Sequence, residues 1–240
     1  MMSRRELHSV RSVIRQKTFM ENIEIKFKDN ETTAGRLIKA TRVLISKYGY
    51  EATTTRMIAN LAKVNLSAIS FHFGNKENLV REAMIRSSEK LAGYYCTLSD
   101  EIRDFLREDN DKEKAWEYID RYLNDRIRRM FDYKSWINIG LISHEQDLPE
   151  SSRGILAETL IRDNEQVLAE LILSVSDKKD RFQAALVSRM ISAAIISYIE
   201  KPLLNQHMTD AMGVDFSDSQ KVTECMHDYF MKSIKAAVAE

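Results

Sequence analysis

Glycine and proline are scarce in this chain: seven and two among 240 residues. A long series of β-hairpins needs a positive-φ residue at nearly every reversal, so this supply argues against one. Cysteine is also rare. Cys96 and Cys225 lie far apart, which supplies neither a disulfide framework nor a metal-binding spacing, and both are read as ordinary helix residues. No run of eighteen apolar residues occurs, because Arg189 interrupts the most apolar stretch, and no signal-peptide core is visible. The chain is therefore expected to be soluble and cytoplasmic, without a membrane partner. Net charge is lacking too, with 36 basic residues against 36 acidic ones. That zero conceals an uneven distribution: residues 1–90 carry +8 and the remainder −8. A basic end suits phosphate neutralisation, whereas an acidic remainder is repelled by a duplex.

What is present is helix-forming. Leu, Ala, Ile, Lys, Arg and Glu dominate, and 44% hydrophobic content is enough to bury a sizeable core. The segment from Thr53 to Leu79, TTTRMIANLAKVNLSAISFHFGNKENL, reads as two short helices joined by a tight turn, followed by a third helix start. Thr54 is the expected N-cap of the first, and Met57, Ile58, Leu61 and Ala62 follow at helical spacing. Lys63-Val64-Asn65 forms the turn, with Asn65 or Ser67 capping the second helix. Ile69 and Phe73, four apart, make its buried side. Ser67, Ala68, Ser70, Phe71 and His72 are left facing outward or toward the helix end. A solvated helix rarely exposes a Phe-His pair without a partner, so this helix reads as a recognition helix for the DNA major groove.

These residues resemble a known family. Thr55-Arg56, Ile58-Ala59, Val64, Ala68-Ile69, Phe71-His72-Phe73 and Lys76-Glu77-x-Leu79 are similar to the TetR family of bacterial one-component regulators, over residues 33 to 80. Three features depart from the family pattern. Lys63 stands where the turn usually has Gly, which implies an altered or slightly strained turn. Ser70 stands where the recognition helix usually has Tyr, which removes a customary phosphate contact, and Gly74-Asn75 replaces the commoner Pro-Ser without disturbing the frame. The resemblance implies an all-α fold with an N-terminal three-helix DNA-binding domain and a C-terminal helical effector and dimerisation domain.

Along the chain this gives three expected segments. Residues 1–30 are a basic extension, with Arg4, Arg5, Arg11, Arg15 and Lys17 near its start. It reads as a solvated leader, as an arm for the DNA backbone or minor groove, or as sequence upstream of a start at Met20. Residues 31–78 are the helix-turn-helix domain, opened by an amphipathic helix from Thr33 to Tyr48 with Thr32 or Thr33 as cap and Gly49 as its stop. Residues 79–240 are the effector and dimerisation domain. Its expected helices are 97–108, 113–133, 135–146, 152–175, 179–205 and 218–238, preceded by a longer helix over Lys76 to Tyr95.

In that domain Trp116, Tyr122, Met130, Phe131 and Trp136 crowd together, followed by His144. Singly these are core residues; as a cluster they are the candidate effector pocket. His144-Glu145-Gln146-Asp147 lacks the spacing that places two imidazoles on one helix face, so no metal is expected. No Gly-rich phosphate loop or nucleophile elbow exists, so no cofactor is expected and the chain is not read as an enzyme. From Arg181 to Leu204 two apolar stripes lie side by side: Phe182, Leu186, Met190 and Ala193, then Val187, Ile191, Ala194, Ile195 and Tyr198. The last helix adds Val222, Met226, Tyr229, Phe230 and Ile234. The expected dimer interface is a four-helix bundle built on Phe182, Leu186, Met190, Ala193, Met226 and Phe230.

The sequence thus points to a homodimeric regulator of transcription that binds a near-palindromic operator in double-stranded DNA. Thr55, Arg56 and Lys76 are its expected phosphate contacts, and Ser67, Ala68, Ser70, Phe71 and His72 its expected base-facing residues. By resemblance it is a repressor released by a small-molecule effector. A same-fold DNA-binding factor without an effector and, more distantly, a helical enzyme are the alternatives.

Overall fold

A computed structural model of the chain describes residues 27–28, 30–108, 111–131, 133–216 and 218–239, without the side chains of 133–136, 161 and 202. The expected basic extension therefore lies almost wholly outside the described residues. The described chain is helical throughout, with no strand. In chain order the helices are α1 (Thr33–Ala52), α2 (Thr55–Ala62), α3 (Ser67–Phe73), α4 (Lys76–Glu108), α5 (Lys112–Arg129), α6 (Tyr133–Ser143), α7 (Ile155–Leu160), α8 (Gln166–Val175), α9 (Arg181–Glu200), α10 (Pro202–Met212) and α11 (Ser219–Ala239). Two 3-10 turns, Glu145–Asp147 and Glu150–Ser152, precede α7, and a π-helical turn, Ile161–Glu165, links α7 to α8.

These elements form two compact units. One gathers residues up to Tyr94 with Trp136–Leu160; the other comprises Tyr95–Ser135 and Ile161–Glu240. The expected boundary after residue 78 lies in the first turn of α4, which continues unbroken to Glu108. Gly93 sits inside that helix, with nothing within 4 Å of where a Cβ would stand; an interior Gly costs a helix only about 1 kcal/mol relative to Ala.

The first unit has two apolar clusters. Leu37, Ala40 and Leu44 of α1 pack with Ile58, Ala59 and Ala62 of α2, Ile69 of α3 and Leu79 of α4. Ile45 of α1 packs with Val80, Ala83 and Met84 of α4, Leu141 of α6, Leu148 and Leu156. α6 approaches α1 closely at Gly140, where a Cβ would stand 2.6 Å from the Ser46 carbonyl oxygen. α1 is broken at Gly49, whose φ of 76° only glycine adopts without strain, and the His144 imidazole occupies the space where a side chain would project.

In the second unit α5, α8 and the inner faces of α9 and α11 supply the core, including Ile119, Leu123, Ile127, Val167, Leu168, Leu171, Ile191, Phe230 and Ile234. The expected helix 179–205 stops at Glu200, because Pro202 has no N–H to donate to the carbonyl four residues back. That carbonyl, on Tyr198, accepts instead from Asn205 Nδ2 at 2.9 Å. The expected helix 152–175 is interrupted by the π turn. All four carbonyls from Arg162 to Glu165 accept side-chain donors: Arg103 Nη2 at 2.9 Å, Ser99 Oγ at 2.7 Å, Tyr122 Oη at 2.9 Å and Ser188 Oγ at 2.7 Å, in that order.

Candidate nucleic-acid interface

The reading head is assembled by caps and one special turn residue. Thr32 Oγ1 accepts from Gly35 N at 3.1 Å to start α1, and Thr54 Oγ1 accepts from Met57 N at 3.1 Å to start α2. α2 ends on Lys63 in the left-handed region (φ 56°, ψ 49°), so the turn keeps its glycine-like geometry with a lysine in it. Arg36 Nη2 donates to the Lys63 carbonyl at 3.3 Å and ties the turn to α1. α3 is not capped by Asn65 or Ser67 as expected: its N-cap is Leu66, which makes no side-chain cap bond and is 48% exposed. Gly74 ends α3 at φ 80°, and Asn75 Oδ1 accepts from Asn78 N at 2.8 Å to start α4.

On α3, Ile69 is buried against α1 and α2 and Phe73 is half-buried, which turns the rest of the helix outward. Ser67, Ser70 and His72 are exposed, Ala68 is half-buried, and Phe71 is 84% exposed. The Phe71 and His72 rings meet edge to face with centroids 4.9 Å apart. A phenyl ring so exposed has no role in this unit's core, and its display is what contact with a thymine methyl group would use. Thr55 is half-buried at the start of α2, and Arg56 is exposed beside it.

Lys76 is differently placed from expectation. Its ammonium donates to the Tyr50 carbonyl at 2.7 Å and lies 3.8 Å from the centroid of the Tyr50 ring. Burial lowers its pKa, with Glu51 opposing the shift, and burial together with Glu77 and Glu51 raises that of Tyr50. Lys76 thus pins the start of α4 to the end of α1. Lys63, exposed at the turn, and Leu66, exposed at the N-terminus of α3, are two outward residues that helical periodicity alone assigns to no function.

The expected effector residues are distributed over both units, and the side chain of Trp136 lies outside the described ones. Tyr122 and Met130 are buried in the second unit's core, Trp116 is half-buried there and Phe131 is 38% exposed. Trp136 and His144 belong to the other unit, where His144 abuts Gly49 and lies 3.7 Å from Asp147 Oδ2. Among the described side chains of the six, only Phe131 lines the open groove of about 630 Å³ that runs along α5 and α11, with Asn124, Arg128, Gln220, Thr223 and His227. His227 Nε2 lies 2.9 Å from Asp120 Oδ1 and 3.2 Å from Asn124 Nδ2. Among the described residues no group of three or more His, Cys, Asp or Glu side chains could hold a metal.

The two stripes of α9 differ. Phe182 (76% exposed), Leu186, Met190 and Ala193 face solvent; of the second stripe Ile191 is buried, Val187, Ile195 and Tyr198 are half-buried and Ala194 is exposed, with Ala184 and Ser188 completing the buried side. On α11 Val222, Phe230 and Ile234 are buried in the subunit and Met226 is half-buried, while Tyr229 is 68% exposed. Phe230 was expected at the subunit interface and is instead a core residue, because apolar spacing alone does not tell which side of a helix its own subunit covers. α9 is also the one helix among the described residues long and apolar enough to cross a membrane by length and composition. It is, however, anchored to the π turn through Ser188 and through Arg189, whose Nη1 lies 2.7 Å from Glu165 Oε1.

Two short helices at a sharp turn, braced by a third and displaying one polar-aromatic face, define a helix-turn-helix DNA-binding module. Residues 37–83 match the family model of the bacterial regulatory proteins, tetR family. That match covers the reading head, whose helix-turn-helix is similar to that of the tetR-family regulators. The chain's fold is shared with several solved structures. The fatty acid degradation regulator FadR from Bacillus halodurans is 20% identical, with a TM-score of 0.51 covering 86% of this chain and 97% of that one. The TetR family transcriptional regulator PfmR from Thermus thermophilus is 18% identical, with a TM-score of 0.53 covering 82% and 97%. A TetR transcription regulator from Haloarcula marismortui is 14% identical, with a TM-score of 0.50 covering 85% and 97%. No curated protein sequence matches the chain significantly.

Proposed function

We propose that the chain is a homodimeric, sequence-specific repressor that leaves its operator when a small-molecule effector binds. The observation that carries the DNA-binding part is α3 itself: Ile69 holds it to the core while Ser67, Ser70, Phe71 and His72 stand outward. In this reading those four residues and Ala68 meet base edges, thymine methyl groups and adjacent backbone, and Thr55 and Arg56 meet phosphate. Lys63 joins them as a further cation at the turn. Lys76 acts by fixing the start of α4, so that the backbone N–H groups there face a phosphate.

Dimerisation follows from the uncovered stripe Phe182, Leu186, Met190 and Ala193, joined by Tyr229 on α11. A second copy related by a two-fold axis would bury it against itself. Effector binding then favours a dimer whose two reading heads no longer match successive major grooves, which requires unequal affinity for the two states. The test is selection of bound sites from random DNA, followed by affinity measurements over a range of salt. A near-palindromic site and a steep loss of affinity with salt are expected. An asymmetric site or a flat salt response contradicts the reading.

A further inference from the structure

We propose that the groove between α5 and α11 binds a zwitterionic small molecule, an amino acid with an apolar portion, through Arg128 and Glu224. This rests on the effector reading above and names the effector's chemistry. The groove has a volume of about 630 Å³, which is that of a small-molecule site. Arg128 lines it from the last turn of α5, and Glu224 from the second turn of α11. Both side chains are exposed, and among the described residues neither forms an ion pair, with the other or with any other group. Glu224 is steadied by Gln220, whose Nε2 donates to Oε1 at 2.9 Å, which leaves Oε2 open. His227, the third titratable group on the wall, is already engaged, with its Nε2 2.9 Å from Asp120 Oδ1. One cation and one anion are thus left uncommitted in the same groove.

The neutral groups around them are used on one side only. Asn124 Nδ2 donates to the Asp120 carbonyl at 3.0 Å and to Asp120 Oδ2 at 3.2 Å, which leaves Oδ1 as its acceptor. Thr223 Oγ1 donates to the Ser219 carbonyl at 2.7 Å and keeps its lone pairs. The wall therefore offers donors at Arg128 and acceptors at Glu224, Asn124 and Thr223. Phe131 adds an apolar ring, 38% exposed and backed edge-on by Tyr198 with centroids 6.2 Å apart.

These groups discriminate among ligand classes. An anion answers Arg128 but brings a like charge to Glu224, and an amine does the reverse. A neutral compound strips water from both charges and returns nothing, which is costly. A zwitterion answers both. Its carboxylate matches the forked edge of the guanidinium, and its ammonium has three N–H groups to give to the acceptors. Its apolar portion suits Phe131. A ligand held in this way ties α5 to α11, the helix that also displays Tyr229.

The test uses the full chain, with isothermal titration and thermal melting. The probes are L-phenylalanine, L-leucine and 6-aminohexanoate. Each is compared with the matching acid that lacks the amine (3-phenylpropanoate, 4-methylpentanoate, hexanoate) and the matching amine that lacks the carboxylate (2-phenylethylamine, 3-methylbutylamine, hexylamine). At least one zwitterion should bind and raise the melting temperature, at least tenfold more tightly than its acid or its amine. Arg128→Gln and Glu224→Gln should each weaken that binding about 10- to 100-fold, the loss of a charge-assisted hydrogen bond. The losses should also be specific: Arg128→Gln should bind the amine as well as the zwitterion, and Glu224→Gln the acid as well as the zwitterion. Both side chains are exposed, so the unliganded variants should melt with the parent.

The proposal is overturned if no zwitterion binds, if the acid or the amine binds the parent equally well, or if either variant retains full affinity. Operator binding measured alongside separates the two readings. Release of DNA by a compound indifferent to Arg128 and Glu224, with no zwitterion bound, overturns this site and leaves the effector reading. A zwitterion that binds through both residues without releasing DNA leaves the site and overturns the effector reading.

Discussion

Lys63 pays a local conformational cost to keep the helix-turn-helix geometry. An L-residue in the left-handed region is disfavoured by about 1–2 kcal/mol, so Lys63→Gly should raise the melting temperature by an amount corresponding to about 1 kcal/mol. It should also weaken DNA binding modestly if the lysine reaches phosphate, a split that melting and affinity measurements separate. Lys76 is the opposite case, a cation already committed inside the protein. Lys76→Met should destabilise the reading head by about 1–2 kcal/mol, through loss of its bond to the Tyr50 carbonyl and its position over the ring. The accompanying fall in DNA affinity should be uniform across sequences. His72→Ala and Ser67→Ala should instead change preference at particular base pairs, by about 1–3 kcal/mol each. A comparison of selected binding sites for the three variants checks the assignment; base-specific effects from Lys76→Met alone would refute it.

Two junctions between elements show how packing overrides local preference. Gly140 lets α6 lie against the backbone of α1, and a methyl group there would meet the Ser46 carbonyl and Cβ. Gly140→Ala, which would favour helix in isolation, should therefore destabilise the protein by about 1–3 kcal/mol, measured by chemical denaturation. The connection from α9 through α10 to α11 is held by Tyr198, whose hydroxyl donates to the Phe216 carbonyl at 2.5 Å. Burial, and secondarily Asp215, pushes the Tyr198 pKa from 10.0 up to about 12. The folded state therefore favours the neutral phenol more than the unfolded state does. That stabilisation is complete below pH 10 and is lost as pH rises through about 12. Tyr198→Phe should be less stable than the parent at neutral pH and should lose this part of the alkaline sensitivity, as thermal melts from pH 8 to 12 would show. Tyr198→Phe retaining the parent's full alkaline loss would place the titrating group elsewhere.

At the scale of the whole molecule, the distinction between inner and outer faces of α9 and α11 makes opposite predictions for neighbouring residues. Ala193 is exposed in the single subunit, so Ala193→Glu should leave helical circular dichroism largely intact. It should yield a monomer by light scattering and abolish specific operator binding, since an unpaired carboxylate at a buried interface costs several kcal/mol. Phe230 is buried within the subunit, so Phe230→Ala should unfold it, at a cost of about 3–5 kcal/mol, rather than dissociate a stable monomer. A dimer that survives Ala193→Glu at micromolar concentration would move the interface off this stripe.

The helical class, the cap of α2 and the exposure of Ser67, Ser70, Phe71 and His72 on α3 were legible from residue order because each depends on near neighbours. Thr54 caps its own helix, Ile69 and Phe73 share one side of a short helix, and Gly49 and Lys63 end helices within the turns they occupy. The family resemblance added to this a demanding pattern at fixed spacing. What the residue order left open depends on partners distant in the chain. Lys76 looked like a phosphate clamp until Tyr50, twenty-six positions earlier, took its ammonium. Phe230 and Tyr229 are adjacent and both large, yet one is core and the other surface, because only the packing of α5, α8 and α9 decides which side of α11 is covered. The expected pocket residues were grouped by proximity in sequence, whereas the fold sends Tyr122 and His144 into different units. Arg126 stands as one of several arginines in a charged helix, and its burial became visible only once Tyr95, Ser99 and the π turn closed around it. Periodicity and caps are short-range and so are written in the residue order, whereas burial and the pairing of charges are settled by residues brought together from distant parts of the chain.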